Sequence, residues 1–480
     1  AQRICGSTAR RLLLRRLARP EVTGGLGATY LLPDLPIETA EDFVAAGGGE
    51  GLEAARRLGP EAVVDEVLAS GLRGRGGAGF STGVKWRSVR TAGGGRHFAV
   101  ANGAEGEPAT FKDRMLMRRD PYRVIEGLAI AALAVGASDA FCATKRKYTA
   151  EVAALRRAAL ELSAIGMLGD LNVTIVEGPD EYLFGEEKAL LEVIEGRDPL
   201  PTLLPPWQRG LFATVQLGWE ADVAAGSAGQ SNPTLVNNVE TLASAAHILA
   251  NGATWFRSMG TSESPGTVIV TVVGDVMRSR VLEVELGTPL AAVLDTCGGP
   301  RPGRHFVAAF SGVSNAVLPA AKFDVLLTYE DMEAVGSGLG AAGFAVYDDA
   351  TDMASIAREF SRFLAVESCG QCPACKDGSM TITDRLLAIE EGGARDDDLA
   401  EIEARLRTVT DANRCYLGTE EQIVVSSLLR EFPEAFVARM EGTAGPLRPV
   451  LVPLVVDIAD DGTVVYDERH ARKQPDWTYR

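Results

Sequence analysis

The sequence predicts an α/β protein followed by a small strand-rich domain and a helical C-terminal region. Three observations carry this. Between about 61 and 250, short apolar runs of strand length alternate with stretches of helical spacing, the pattern of a parallel sheet with helical crossovers. Near 265 the character changes to TVIVTVVGDV and RSRVLEVEL, with glycine turns and one short helix, PLAAVLDTCGG. From 351 to 440 the chain reads as helix, and four of its seven cysteines fall there.

Taken in order, residues 1–60 form an N-terminal extension whose first twenty residues hold six arginines and no acid. That composition suits either a transit peptide or a basic amphipathic helix that docks on an acidic surface. EAVVDEVLAS (61–70) has helical spacing and runs into a glycine-rich loop. HFAVANG (97–103) reads as a short buried strand that leads into the acidic loop GAEGEP. A helix over 120–136, the strand AFCATK, a helix over 149–163 and the alternating strand LNVTIVEGP follow. EEKALLEVIEG is a helix with acids in its first turn, where the helix dipole favours them. The proline-rich DPLPTLLPPWQ and the small-residue stretch to about 232 read as loop. The units expected are therefore 61–250, 265–347, 351–440 and a tail, 441–480, with an apolar strand and a hairpin turn at Asp460-Asp461-Gly462.

Composition bounds the function. A net charge of −17 argues against nucleic-acid binding, and 46% hydrophobic residues allow large cores. No apolar run approaches the ~18 residues needed to span a bilayer. Seven cysteines in 480 residues are no disulfide framework, which suits a reducing, cytoplasmic setting. Cys5, Cys142 and Cys297 stand alone. His247, in ASAAHILA, reads as a helix-face residue rather than a ligand.

Two motifs carry chemistry. ESCGQCPACKDG places Cys369, Cys372 and Cys375 in C-x2-C-x2-C spacing, which can wrap one face of an iron–sulfur cube, with Cys415 as the fourth thiolate. Structural zinc, or a redox or structural thiol site, are the alternatives on spacing alone. The second motif is GLRGRGGAGFSTGVKW (71–86). Gly74, Gly76 and Gly79 match G-x-G-x-x-G, yet helix rather than strand precedes them, so the Rossmann context is missing. The loop can instead hold an anion on its backbone N–H groups, with Arg75 and Lys85 adding positive charge, or be a glycine-rich turn in close packing.

These segments, together with NGAEGEPATFKDR, EYLFGEEKALL, PTLVNNVETL, GSGLGAAGF and RCYLG, resemble the flavoprotein subunit of NADH dehydrogenases. That family comprises the NADH-oxidising subunit of respiratory complex I and the diaphorase subunits of NAD-linked hydrogenases and formate dehydrogenases. The resemblance runs from about 60 to 435. It implies a Rossmann-like FMN-binding α/β domain, a ubiquitin-like β-grasp module of the SLBB type and a helical bundle holding a [4Fe–4S] cluster on Cys369, Cys372, Cys375 and Cys415. It implies flavin contacts from Gly74, Arg75, Gly76, Lys85, Asn102, Tyr182, Gly185, Glu186, Asn237, Asn238 and Thr241. It places NADH against Phe80, Glu107 and Glu187, with Glu187 facing the adenosine ribose, so that NADH is expected over NADPH. Hydride would pass from NAD(H) to FMN, with no side-chain catalyst, and single electrons would pass on to partners, among them a [2Fe–2S] thioredoxin-like subunit.

The pattern departs from the family in places. Ala104 replaces an aspartate, Ser88 an aromatic, Leu204 a lysine and Trp207 a phenylalanine, and the stretch 215–232 is an insertion. Two functions follow as expectations: an NADH:acceptor oxidoreductase module of a multi-subunit complex, cytoplasmic or peripheral to a membrane, or an electron-transfer and docking subunit that no longer binds NADH productively.

Overall fold

The structure, a computed structural model, describes residue 26 and residues 29–214 and 230–479. The basic N-terminal segment with Cys5, and most of the 215–232 insertion, lie outside the described residues. The N-terminal helices are α1 (Ala40–Ala45), α2 (Glu50–Leu58), α3 (Pro60–Ser70) and α4 (Thr82–Thr91). α3 starts with proline in its first turn and stops at Gly71, whose φ of 73° is left-handed backbone that glycine adopts without strain. Then come β1 (Phe98–Gly103), α5 (Lys112–Arg119), α6 (Pro121–Val135), β2 (Asp139–Lys145), α7 (Thr149–Ala164), β3 (Asn172–Gly178), a 3-10 turn (Tyr182–Gly185), α8 (Glu187–Ile194), β4 (Thr234–Asn238), α9 (Val239–Asn251) and α10 (Ala253–Phe256).

The strands form one parallel sheet in the order β3-β2-β1-β4. Chain order runs outward from β1 through β3, then returns to the other side of β1. The reversal puts the carboxyl ends of β1 and β4 at the switch point, the crevice position where open parallel sheets bind ligands. The register sets Asn102 beside Asn238 across it. Beneath the sheet, α6 is buried on nearly every face, and Gly127 lets α9 approach: a Cβ there would lie 2.1 Å from the Leu242 carbonyl oxygen. The sequence sets residues 1–60 apart as an extension, yet Leu31, Ala40, Phe43, Leu52 and Ala55 pack into this same core. Hydrophobic burial, not the composition shift, decides where the domain begins.

The second sheet contains β5 (Thr267–Gly274), β6 (Arg280–Glu285), β7 (Phe306–Ser311), β8 (Leu318–Pro319) and β9 (Gly343–Asp348), with α11 (Leu290–Thr296) and α12 (Tyr329–Ala334) between strands. Its order, β6-β5-β9-β7-β8, has a parallel central pair and antiparallel flanks, the arrangement expected of a β-grasp module. The helical region holds α13 (Met353–Glu367), α14 (Pro373–Glu390), α15 (Asp398–Leu406), α16 (Leu417–Glu431) and α17 (Pro433–Met440).

The tail forms a hairpin, β10 (Val455–Ile458) with β11 (Val464–Tyr466), and then packs on its own chain. Lys473 Nζ and His470 Nε2 meet Glu367 at 2.8 and 2.9 Å, and Trp477 Nε1 donates to the Val366 carbonyl. Those bonds hold Glu367 down at about 2 although burial opposes its charge.

Candidate functional site

The glycine loop enters from α3 and leaves into α4, so no sheet strand supports it. Among the described residues, the backbone N–H groups of Gly76, Gly77, Ala78 and Gly79 have no hydrogen-bond partner. They lie just before the N-terminus of α4, where the helix dipole favours an anion. Gly77 has φ 133° and Gly79 has φ 61°, and a Cβ on Gly76 would close to 3.3 Å of Asn238 Cβ. This is a backbone cradle that side chains would fill, and a flavin phosphate fits its donor set.

Not every sequence-predicted cation reaches it. Arg75 is 2% exposed, and its guanidinium donates to the Thr267 carbonyl at 2.9 Å, on β5. Only its backbone borders the cradle, with its N–H on Thr241 Oγ1 at 2.8 Å. Lys85, on α4, is partly exposed and pairs with Glu187 Oε2 at 2.7 Å. Asn102 Nδ2 donates to the Gly185 carbonyl, tying the end of β1 to the 3-10 turn. Asn237 Oδ1 accepts from Trp86 Nε1 at 2.7 Å, and Asn238 caps α9 through the Glu240 N–H. Glu186 caps α8 with its carboxylate on the amides of Lys188 and Ala189. Phe80 stands exposed at the loop's end.

Sequence reasoning missed the charge network below the crevice. Lys112 Nζ meets Asp113 Oδ1 at 2.7 Å and Glu240 Oε2 at 2.8 Å, all nearly inaccessible to solvent. Asn238 Nδ2 donates to Asp113 Oδ2, which fixes the amide beside the crevice. Burial pushes the Asp113 carboxyl up to about 6 against the pull of Lys112. The signal was present in FKDR and NNVET, but only the fold brings those motifs together.

Glu107 is partly buried rather than solvated. Its Oε1 accepts from the Val313 N–H of the β-grasp domain at 2.7 Å and its Oε2 from the Tyr182 hydroxyl at 2.6 Å. Both side chains also line a cavity of about 340 Å³ at the carboxyl ends of β1 and β2, with the tail forming one wall. Lys145, at the end of β2, lines that cavity. It is buried with a carbonyl, Asp180 O, as its hydrogen-bond acceptor, and burial pulls its ammonium down to about 7. The sign follows: below pH 7 the folded chain carries a buried charge that the unfolded chain carries in water, and the penalty fades as pH rises toward the unfolded value. Lys145→Met is therefore expected to raise the melting temperature more at pH 6 than at pH 9; an equal gain at both would contradict the assignment.

The four thiols converge. Cys369, Cys372, Cys375 and Cys415 line one small cavity with Leu183, Asn413 and Arg414. Three arise at the start of α14 and the fourth just before α16, two helices that both pack on α13. Among the described residues, no group of three or more His, Cys, Asp or Glu is placed to hold a single metal ion. Burial first, and then the neighbouring thiols, push Cys375 up to about 12, and burial chiefly does the same to Cys415. Four thiols, three at C-x2-C-x2-C spacing, fit a [4Fe–4S] cluster, whose cationic core would neutralise the thiolates together. Cys142 and Cys297 are ordinary buried residues.

The departures have visible settings. Ala104 is buried among apolar side chains, Ser88 Oγ turns back to the Val84 carbonyl at 2.9 Å, and Trp207 is exposed in the proline-rich loop.

Comparison with known proteins agrees with this layout. The Nuo51 FMN-binding domain matches residues 67–247, the SLBB domain 269–314, and the NADH-ubiquinone oxidoreductase-F iron-sulfur binding region 355–439. The chain is 36% identical over 412 residues to the NADH-quinone oxidoreductase F 2 subunit of Rhizobium meliloti (strain 1021), covering 83% of this chain and 94% of that one. It is 35% identical over 402 residues to the alpha subunit of the NAD-reducing hydrogenase HoxS of Cupriavidus necator, covering 82% of this chain and 63% of that one. A chain in the crystal structure of an NAD+-reducing [NiFe]-hydrogenase in the H2-reduced state superposes with a TM-score of 0.72 at 31% identity, covering 86% of this chain and 67% of that one.

Proposed function

This chain belongs to the family of NADH-quinone oxidoreductase F subunits, and on that premise we propose how its residues divide the work. It is an NADH:acceptor oxidoreductase module that uses FMN and a [4Fe–4S] cluster, and its relatives support this enzyme over a docking subunit without nucleotide chemistry. When bound, FMN supplies the chemistry that links a two-electron hydride donor to single-electron carriers, and the cluster carries one electron at a time.

In our reading the protein orients and insulates. The N–H groups of Gly76 to Gly79 hold the flavin phosphate, beside the backbone of Gly74 and Arg75. Asn102, Gly185, Asn237, Asn238 and Thr241 shape the crevice where the flavin ring lies, and Lys85 adds a cation near its mouth. Tyr182 and Glu186 close its far side. Phe80, Glu107 and Glu187 receive the nucleotide. Cys369, Cys372, Cys375 and Cys415 hold the cluster. The observation that carries this reading is that one 3-10 turn borders both sites: Asn102 binds the Gly185 carbonyl, while Leu183 of the same turn lines the cysteine cavity. Electrons then leave through iron–sulfur partner subunits, including a [2Fe–2S] thioredoxin-like one, in the cytoplasm; the relatives' being subunits supports this.

Anaerobic NADH tests the reading: the flavin's visible absorbance should bleach. A flavin that stays oxidised with NADH but is reduced by dithionite would contradict it. Glu187 tests the nucleotide choice. A carboxylate facing the ribose repels a 2′-phosphate, so Glu187→Ala should raise the NADPH-to-NADH ratio of kcat/KM by about tenfold, the scale of one lost charge contact of about 1.4 kcal/mol. An unchanged ratio would remove Glu187 from that role.

A further inference from the structure

The cradle lacks the support that a nucleotide loop ordinarily has. In a strand–turn–helix loop the sheet anchors one end. Here α3 precedes the loop and α4 follows it, and its central N–H groups are left free for a ligand. The loop closes on itself, the Gly74 N–H donating to the Phe80 carbonyl at 2.8 Å and the Thr82 N–H to the Leu72 carbonyl at 2.9 Å, and it is tied to its own domain by the Arg75 N–H on Thr241 Oγ1.

The β-grasp domain adds a second set of contacts from outside, and they converge on Tyr329, the first residue of α12. Its hydroxyl donates to the Gly74 carbonyl at 2.8 Å and accepts from Arg75 Nη1 at 3.3 Å. Its ring lies against Gly79, where a Cβ would stand 2.4 Å from the ring atoms. On the ring's face, the Arg73 guanidinium sits 4.0 Å from the centroid. Arg73 also donates to the Gly79 carbonyl at 2.8 Å and pairs with Glu330 at 3.3 Å. Tyr329 itself is 8% exposed, so these contacts are made in a largely desolvated joint.

One side chain of another domain thus meets the loop at both Gly74 and Gly79, on either side of the free amides of Gly76, Gly77 and Ala78. We propose that Tyr329 is a positioning residue for the flavin, and that the β-grasp domain serves as the anchor that the missing strand would otherwise supply. Tyr329 meets the loop through the Gly74 carbonyl and Gly79, and it acts by holding the loop in its anion-binding shape. The proposal rests on the reading that Gly76 to Gly79 hold the flavin phosphate.

The test is the dissociation constant of FMN for deflavinated full-length protein, read by quenching of flavin fluorescence. Tyr329→Phe keeps the ring and removes the hydroxyl. It should weaken FMN binding about fivefold or more, the scale of one buried hydrogen bond, with iron content and melting temperature close to wild type. Arg73→Gln, which removes the guanidinium from the ring's face, should weaken it as well. Tyr347→Phe is the control: its hydroxyl is buried in the same domain without a hydrogen-bond partner, so the FMN constant should not move. A merely structural role for Tyr329 would lower the melting temperature and leave the constant unchanged, and that result overturns the proposal. If wild-type protein bound no FMN, the functional reading itself would fail, a different outcome from equal binding by wild type and Tyr329→Phe.

Discussion

Cys375→Ser is expected to abolish the iron–sulfur cluster and to leave the flavin in place. Cys375 lies in the first turn of α14 and is the most buried of the four thiols. Serine is a harder ligand whose proton is far more difficult to remove, and the other three thiols would then face each other across a space that no longer neutralises them. Iron should fall from about four per chain to near zero, and the low-temperature paramagnetic resonance signal of the reduced cluster should vanish. NADH should still bleach the flavin, because the glycine cradle shares no side chain with the cysteine cavity. Iron retained at the wild-type level would remove Cys375 from the ligand set.

The second large effect lies under the flavin crevice. Lys112→Met leaves Asp113 buried without a cation and Glu240 with only Arg75 Nε, 4.0 Å away. Breaking a buried pair on one side costs about 3–5 kcal/mol, because the surviving charge keeps its desolvation penalty. Because Glu240 keeps Arg75, the loss falls mainly on Asp113, and a cost within that range is expected. Urea unfolding followed by fluorescence of the buried Trp86 measures it, and FMN affinity should fall in parallel as Asn238 loses its fixed neighbour Asp113. A loss below about 1 kcal/mol would mean that the network tolerates an unpaired charge, contrary to the burial on which the argument stands.

Much of this was legible before any coordinates. Each helix and strand expected between 61 and 196 is present, because apolar spacing there is set by one-sided burial, which a local pattern records. The cysteines were legible because C-x2-C-x2-C is local, and so was the absence of a strand before the glycine loop. Long-range partnerships were not. Arg75 reads as a phosphate cation, but its side chain turns to the β5 backbone, almost two hundred residues away in sequence. Glu107 sits in an acidic loop whose hydrogen-bond partners, Val313 and Tyr182, only the fold brings to it. The tail's place against Glu367 is likewise a pairing across 106 positions, which spacing cannot encode. Residues 31–55 belong to the first core because of where Phe43 and Leu52 pack, not because of any local signal at residue 60.

The central claim is that electrons enter as hydride from NADH at the glycine cradle and reach the cysteine cluster within this one chain. Its most direct test is to mix the purified, oxidised protein anaerobically with one equivalent of NADH, freeze it, and record the paramagnetic resonance spectrum of the cluster. The account predicts a reduced-cluster signal from NADH alone, absent in Cys375→Ser. A cluster that dithionite reduces but NADH leaves silent, in protein whose flavin is bound, would contradict it.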